Sequence, residues 1–358
     1  MKYEYWFANL KGITNARKRN IRQGMKSAQM LYYIEETELK RLQLGDKERE
    51  AILNSIQTWN LDAEYQTMVR QGIRLVTVCD GDYPKRLLEL PSAPYALYVK
   101  GELPEETVLT VAIVGARECS PYGEAMAREF ARALAEAKVQ IVSGMARGVD
   151  GAAQWSALEA GGKSFGVLGC GVDVCYPRDQ SNLYQRLCRQ GGILSEYPPG
   201  TRPLPQHFPA RNRIISGLAD VVLVMEAKEK SGSLITADMA LEQGRDVYAL
   251  PGPVNSRLSQ GCNYLIRQGA GILLSPEDLL EELGILATCE VKNESDKKIL
   301  LETKENIVYS CLDLHPRNVD WMIGVTKMSV SELLDALMQL ELKGFVREIS
   351  KNYYVKVK

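Results

Sequence analysis

The spacing of apolar residues changes along this chain. Over roughly the first 75 residues they recur at helical intervals, as in MLYYIEETELKRLQL and REAILNSIQTWNL, with no β-rich run between them. This predicts a set of short helices. IRLVTV then opens a stretch punctuated by Pro and Gly, CDGDYPKRLLELPSAPYALYVKGELP, which predicts a connection carrying one short strand, ALYVKG. From Leu109 onward, apolar runs alternate with amphipathic segments: LTVAIVGA, GEAMAREFARALAEAK, VQIVSGMARG, DGAAQWSALEAGG and SFGVLGCG. Strands separated by helices form parallel β-α-β units with right-handed crossovers. The alternation continues through ADVVLVMEA and RDVYALPG to LIRQGAGILLSP, so at least six strands are expected. Near-continuous apolar runs such as VVLV fit strands covered on both faces. The pattern therefore predicts an α/β protein built on a doubly wound parallel sheet.

In such a sheet ligands bind beyond the carboxyl ends of the strands, so the residues that follow each strand belong together. They are Gly115, Ala116 and Arg117; Ser143, Gly144 and, a little further on, Arg147; Gly169 and Gly171; and Ser231, Gly232 and Ser233. The first set leads through Ser120 and Pro121 into a helix, whose unpaired N–H groups and positive dipole end suit an anion. Small residues at several points on one rim let backbone amides face a run of phosphates. The same glycines would also serve simply to close turns and cap helices. A Pro-rich loop, Pro198 to Pro209, delivers Phe208, Arg211, Asn212 and Arg213 to the start of the helix RIISGLA. Guanidinium forks take phosphates and an aromatic face stacks a base, although arginines equally pair with local carboxylates.

Composition narrows the choice. The 358 residues suit two or three domains, and 44 basic against 45 acidic residues leave no whole-chain field to attract nucleic acid. Any such binding must be local. Of the 17 basic residues in positions 107 to 285, 13 are Arg, a bias toward specific phosphate contacts over a diffuse positive surface. Eight cysteines without a CxxC pair, and only two histidines, signal neither a disulfide framework nor a metal site. With no signal-peptide core and no long apolar span, a cytoplasmic protein that needs no membrane is expected.

The motifs GARECSPYG, SGMARGVDGAAQWSALEAGG, VLGCGVDVCYP, ILSEYPPG, HFPARNRIISGL, SGSLITADMALEQGRDVYALPG and GCNYLIRQGA, in this order across roughly residues 75 to 285, resemble the DprA/Smf family of DNA-processing proteins. The resemblance implies an extended Rossmann-like core (residues 76–287) that binds single-stranded DNA, dimerises, protects incoming DNA during natural transformation and helps load RecA recombinase. It also implies a helical N-terminal domain of the sterile-alpha-motif or helix-hairpin-helix kind (residues 1–75), a linker (288–296) and a C-terminal winged helix (297–358). In that tail KKILLETKENIVYSCL and MSVSELLDALMQLELKGFV have helical spacing and VREISKNYYVKV that of a two-stranded wing. By resemblance the phosphate-contacting motif falls on Gly115, Ala116 and Arg117, the Arg-Asn-Arg motif on Arg211, Asn212 and Arg213, and a DNA-holding basic position on Arg178. One departure is that Gln154 stands where relatives carry His, and Gln does not titrate.

The fold also resembles nucleotide-processing enzymes of the lysine-decarboxylase-like group, in which a carboxylate cuts a nucleoside phosphate. Glu226, Glu242 and Asp150 are the candidate acids, and His207 is the one histidine near the rim. The shortage of His and metal ligands favours a binder with no catalytic residue, cofactor or metal over this alternative.

Overall fold

The computed structural model describes residues 1–39, 42, 44–285, 303–313 and 316–356. The expected linker 288–296 and the first residues of the expected C-terminal domain lie outside them. Six N-terminal helices, α1 (Lys2–Ala8), α2 (Asn15–Gln23), α3 (Ala28–Tyr32), α4 (Glu36–Leu39), α5 (Asp46–Thr58) and α6 (Leu61–Arg70), form the first unit. The side chains of Thr14, Ser27 and Asn60 accept hydrogen bonds from first-turn N–H groups of α2, α3 and α6, each worth about 1 kcal/mol. Trp6, Phe7, Leu31 and Ile52 are buried where these helices meet. The same apolar cluster continues into the next unit through Tyr95 and Tyr98. Phe7 packs edge-on against Tyr95 with centroids 5.1 Å apart, and Tyr98 accepts a hydrogen bond of 2.7 Å from Asn9.

Nine strands follow: β1 (Arg74–Thr77), β2 (Ala96–Gly101), β3 (Thr110–Val114), β4 (Gln140–Ser143), β5 (Ser164–Val167), β6 (Gly191–Ser195), β7 (Val221–Val224), β8 (Asp246–Ala249) and β9 (Gly271–Ile272). They form one sheet in the order β1-β2-β6-β5-β4-β3-β7-β8-β9. The seven strands from β6 to β9 in this order pair in parallel, whereas β1 and β2 add to the β6 edge in antiparallel fashion. IRLVTV and ALYVKG are thus sheet strands, where the pattern of Pro and Gly predicts a connection with one strand. The connecting helices are α7 (Lys85–Leu88), α8 (Pro121–Glu136), α9 (Val149–Glu159), α10 (Ser181–Gln190), α11 (His207–Leu218), α12 (Gly232–Glu242) and α13 (Gln260–Arg267), with α14 (Pro276–Glu282) after β9.

Side-chain alternation divides the core between the two faces of the sheet. Val111 and Ile113 of β3 pack with Phe130, Ala131 and Leu134 of α8, while Ala112 and Val114 pack with Ile214 and Leu218 of α11. From β3 the chain winds outward through β4, β5 and β6. α11 then carries it back to β7 on the other side of β3, and it winds outward again through β8 and β9. The reversal parts the loops beyond β3 and β7, which is where a cleft opens in such folds.

The C-terminal unit comprises α15 (Thr303–Cys311), β10 (Arg317–Asn318), α16 (Val319–Thr326), α17 (Val330–Leu342), β11 (Val346–Ser350) and β12 (Tyr353–Lys356). Ser329 and Glu332 form a reciprocal capping box at the start of α17, and Gly344, at φ +75°, ends that helical run. With its three strands in the order β10-β12-β11, the unit is a winged helix.

Candidate nucleic-acid interface

A cleft of about 640 Å³ opens at the reversal between β3 and β7. One wall is Gly115, Ala116 and Arg117 beyond β3; another is Phe208, Arg211 and Asn212 of α11; a third is Lys228, Lys230 and Ser231 to Ser233, at the start of α12. α11 begins at His207, inside the stretch predicted as extended loop, so Phe208 and the three residues Arg211 to Arg213 lie within its first two turns. Pro209 is compatible with this because a first-turn N–H has no helical partner to lose. The Arg117 guanidinium lies 5.5 Å from the centre of the Phe208 ring, and Tyr176 flanks that ring at 5.6 Å and 32°. Arg117, Lys228 and Lys230 are exposed, and none pairs with a carboxylate among the described residues. The N-terminus of the eleven-residue α12 opens on the same space and adds its positive dipole end.

The helix start after β3, the expected anion seat, is already filled. Glu226, at the end of β7 and only 4% exposed, accepts 2.8 Å and 2.5 Å hydrogen bonds from the backbone N–H and hydroxyl of Ser120. Ser120 in turn caps α8 by accepting from the Gly123 N–H. A side chain at Gly123 would collide with this carboxylate. The protein's own anion therefore occupies the place of a ligand phosphate.

Other rim residues are likewise spent on structure. Arg211 is buried and donates through Nη1 to the carbonyls of Gly144 (2.9 Å) and Val167, while its Nε bonds Asn212 Oδ1 at 3.2 Å. Burial lowers its pKa to about 10, against the pull of Asp150, so it stays charged at neutral pH. Asp150 accepts the Gly144 N–H at 3.1 Å; burial raises its pKa, and Arg211 opposes the shift. Gly144 lies between this carboxylate and the guanidinium, and a Cβ there would stand 2.7 Å from both. Asn212 reaches the Gly232 carbonyl at 3.2 Å and so ties α11 to α12.

Seven predicted residues lie outside the cleft lining: Ser143, Gly144, Arg147, Gly169, Gly171, Arg178 and Arg213. Ser143 donates to the Ile113 carbonyl, the Gly171 N–H donates to the Thr201 carbonyl, and the Gly169 carbonyl accepts from His207 Nδ1 at 3.1 Å. Arg147 pairs with Asp179, Arg213 with Glu196 at 2.6 Å, and Arg178 sits in a single 3-10 turn. Gln154 is buried, linking the Met145 N–H to the Phe165 carbonyl. Glu242 lies at the far end of α12 from the cleft, about 15 Å along the helix. Lys228, Lys230 and Tyr176 escape the sequence-based prediction. The Lys-Glu-Lys run just before SGS is the only signal for the two lysines.

Fold and site define an extended Rossmann-like protein, with helical and winged-helix units, whose switch-point cleft is lined by exposed cations and aromatic rings. The chain belongs to the DprA/Smf family. Residues 74–284 match the family described as DNA recombination-mediator protein A, and residues 294–350 match the DprA winged helix domain. It is 41% identical over 279 residues to Protein Smf of Escherichia coli (76% of this chain, 74% of that one). It is 46% identical over 206 residues to the DNA processing protein DprA of Streptococcus pneumoniae (58% and 73%). The X-ray structure of the latter superposes with a TM-score of 0.67 at 36% identity, covering 79% of this chain and 98% of that one. A DprA structure from Helicobacter pylori, described for its single-stranded DNA binding mode, gives 0.53 at 32% identity (59% and 95%).

Proposed function

We propose that this protein binds single-stranded DNA along the cleft between β3 and β7 and acts by binding, not by catalysis. The observation that carries this is the grouping of unpaired Arg117, Lys228 and Lys230 with the Phe208–Tyr176 rings beside the open end of α12. Cations and helix amides suit phosphates, and rings accept any base, so sequence preference is slight. The candidate acids do not converge: Glu226 caps α8, Asp150 faces Gly144, and Glu242 lies a helix-length away. Membership of the family supports the finer assignments, that the protein works in the cytoplasm as a homodimer, protects incoming DNA during transformation and passes it to RecA recombinase.

Fluorescence anisotropy of a labelled single strand and its duplex, at several salt concentrations, tests the proposal. Arg117→Ala and Lys230→Ala should each weaken single-strand binding whatever the sequence and flatten the log–log salt slope by about 0.7 per lost phosphate contact. An unchanged slope in both variants would move the DNA to another surface. For the hand-off, the readout is RecA filament growth on a coated strand with and without this protein.

A further inference from the structure

In a helix-turn-helix unit the second helix, here α17, is the one that enters a DNA groove, and it succeeds there with cationic and polar side chains. The outward side of α17 has a different chemistry. Val330, Leu334, Met338 and Leu342 recur at i, i+4, i+8 and i+12 and are 55%, 41%, 55% and 75% exposed. They form one stripe about 18 Å long. Asp335 and Glu341 lie exposed along it. Lys343, beyond the C-terminal end of the stripe, is bonded to Glu305 at 2.6 Å. The inward residues Leu333, Ala336, Leu337 and Leu340 already fill the core of the unit, so the stripe is surplus to folding.

We propose that this face of α17 docks a basic amphipathic helix of a partner protein. Apolar residues at i and i+4 are how a helix is received by a matching surface. The acidic border selects the charge of the visitor. Duplex DNA is disfavoured, because phosphates laid along the stripe would meet the like charges of Asp335 and Glu341. A second copy of α17 is disfavoured as well, because it brings the same acids and no base.

The test uses the full chain and two labelled peptides, both with leucines at i, i+4 spacing, one flanked by lysines and the other by glutamates. The lysine-flanked peptide should bind at least tenfold more tightly. Met338→Asp should abolish that binding with no change in the melting temperature, and the Asp335→Lys/Glu341→Lys variant should reverse the peptide preference. The charge-reversed variant serves as the reading if Met338→Asp unfolds the unit. The proposal is overturned if neither peptide binds, if the preference does not reverse, or if Met338→Asp instead halves a dimer mass in sedimentation or removes duplex DNA binding.

Discussion

Glu226 offers a sharp test of how this fold departs from a nucleotide-binding one. Its carboxylate accepts two hydrogen bonds from Ser120 at the N-terminus of α8 while almost fully buried. Hydrogen bonds to a charged group contribute roughly 1.5–3 kcal/mol each, and an anion at a helix start adds about 0.3–2 kcal/mol. Replacement by Ala removes these and leaves the Ser120 N–H without its acceptor, so Glu226→Ala should lose about 3–5 kcal/mol. Glu226→Gln keeps the shape and one acceptor, and should lose about 1–2 kcal/mol. Against a typical total of roughly 5–15 kcal/mol, both are measurable as shifts in the urea midpoint. The Ala variant also vacates an anion seat. Inorganic phosphate should then raise its midpoint more than that of wild type, by about 2.7 kcal/mol at a hundredfold excess over its dissociation constant. A Glu226→Ala protein as stable as wild type, or equally indifferent to phosphate, would refute the capping role.

Three further outcomes follow from the same geometry. Phe208→Ala removes a stacking face worth roughly 1–3 kcal/mol per base, so single-strand affinity should fall about tenfold to a hundredfold with an unchanged salt slope, by anisotropy. Gly144→Ala drives a methyl group between Asp150 and Arg211, and should cost several kcal/mol in urea titration even though every other group remains. Lys18 is buried with its ammonium against the Ala8 carbonyl, and burial lowers its pKa to about 8. Between pH 8 and 10.5 the unfolded chain holds this proton and the folded one does not, so stability should climb with pH across that window by up to about 3 kcal/mol. Lys18→Met should be flat over the same range once other titrations are subtracted, and an identical climb in both proteins would remove Lys18 as its source.

The parallel strands were legible because burial on both faces demands runs such as VVLV, and that demand is written in composition alone. β1 and β2 were less legible: an antiparallel edge strand is short and lies among turn residues, so IRLVTV and ALYVKG resemble a decorated connection. The rim shows a deeper limit. Position along the chain reveals that Ser143, Gly144 and Gly171 follow strands, but not that the Ser143 hydroxyl and the two glycine N–H groups are already bonded to Ile113, Asp150 and Thr201. Backbone satisfaction is a property of the folded neighbourhood. Arg211 and Arg117 share a residue type and a rim, yet one is locked to two carbonyls and the other is exposed beside a ring. Lys228 and Lys230 were hidden for the opposite reason, since a Lys-Glu-Lys run has the composition of any solvated loop.

These commitments bear on what kind of ligand the cleft can hold. A dinucleotide site of this fold relies on the helix after the first parallel strand to seat a pyrophosphate. Glu226 occupies that helix start, and like charges would oppose a phosphate beside it. On the function proposed above, anion binding falls to the side, at Arg117, the lysine loop and the start of α12, where the wall is exposed. On the same proposal, exposed cations beside two rings suit a strand that runs past them, because each phosphate and base of a polymer presents the same chemistry again. A single nucleotide would leave most of these groups unused. The inner network serves the outer one: Arg211 and Asn212 tie α11 to β4, β5 and the first residue of α12, which fixes the Phe208 ring relative to the α12 amides. Rigid spacing between ring and amides is what lets phosphate contacts and stacking act together on one strand.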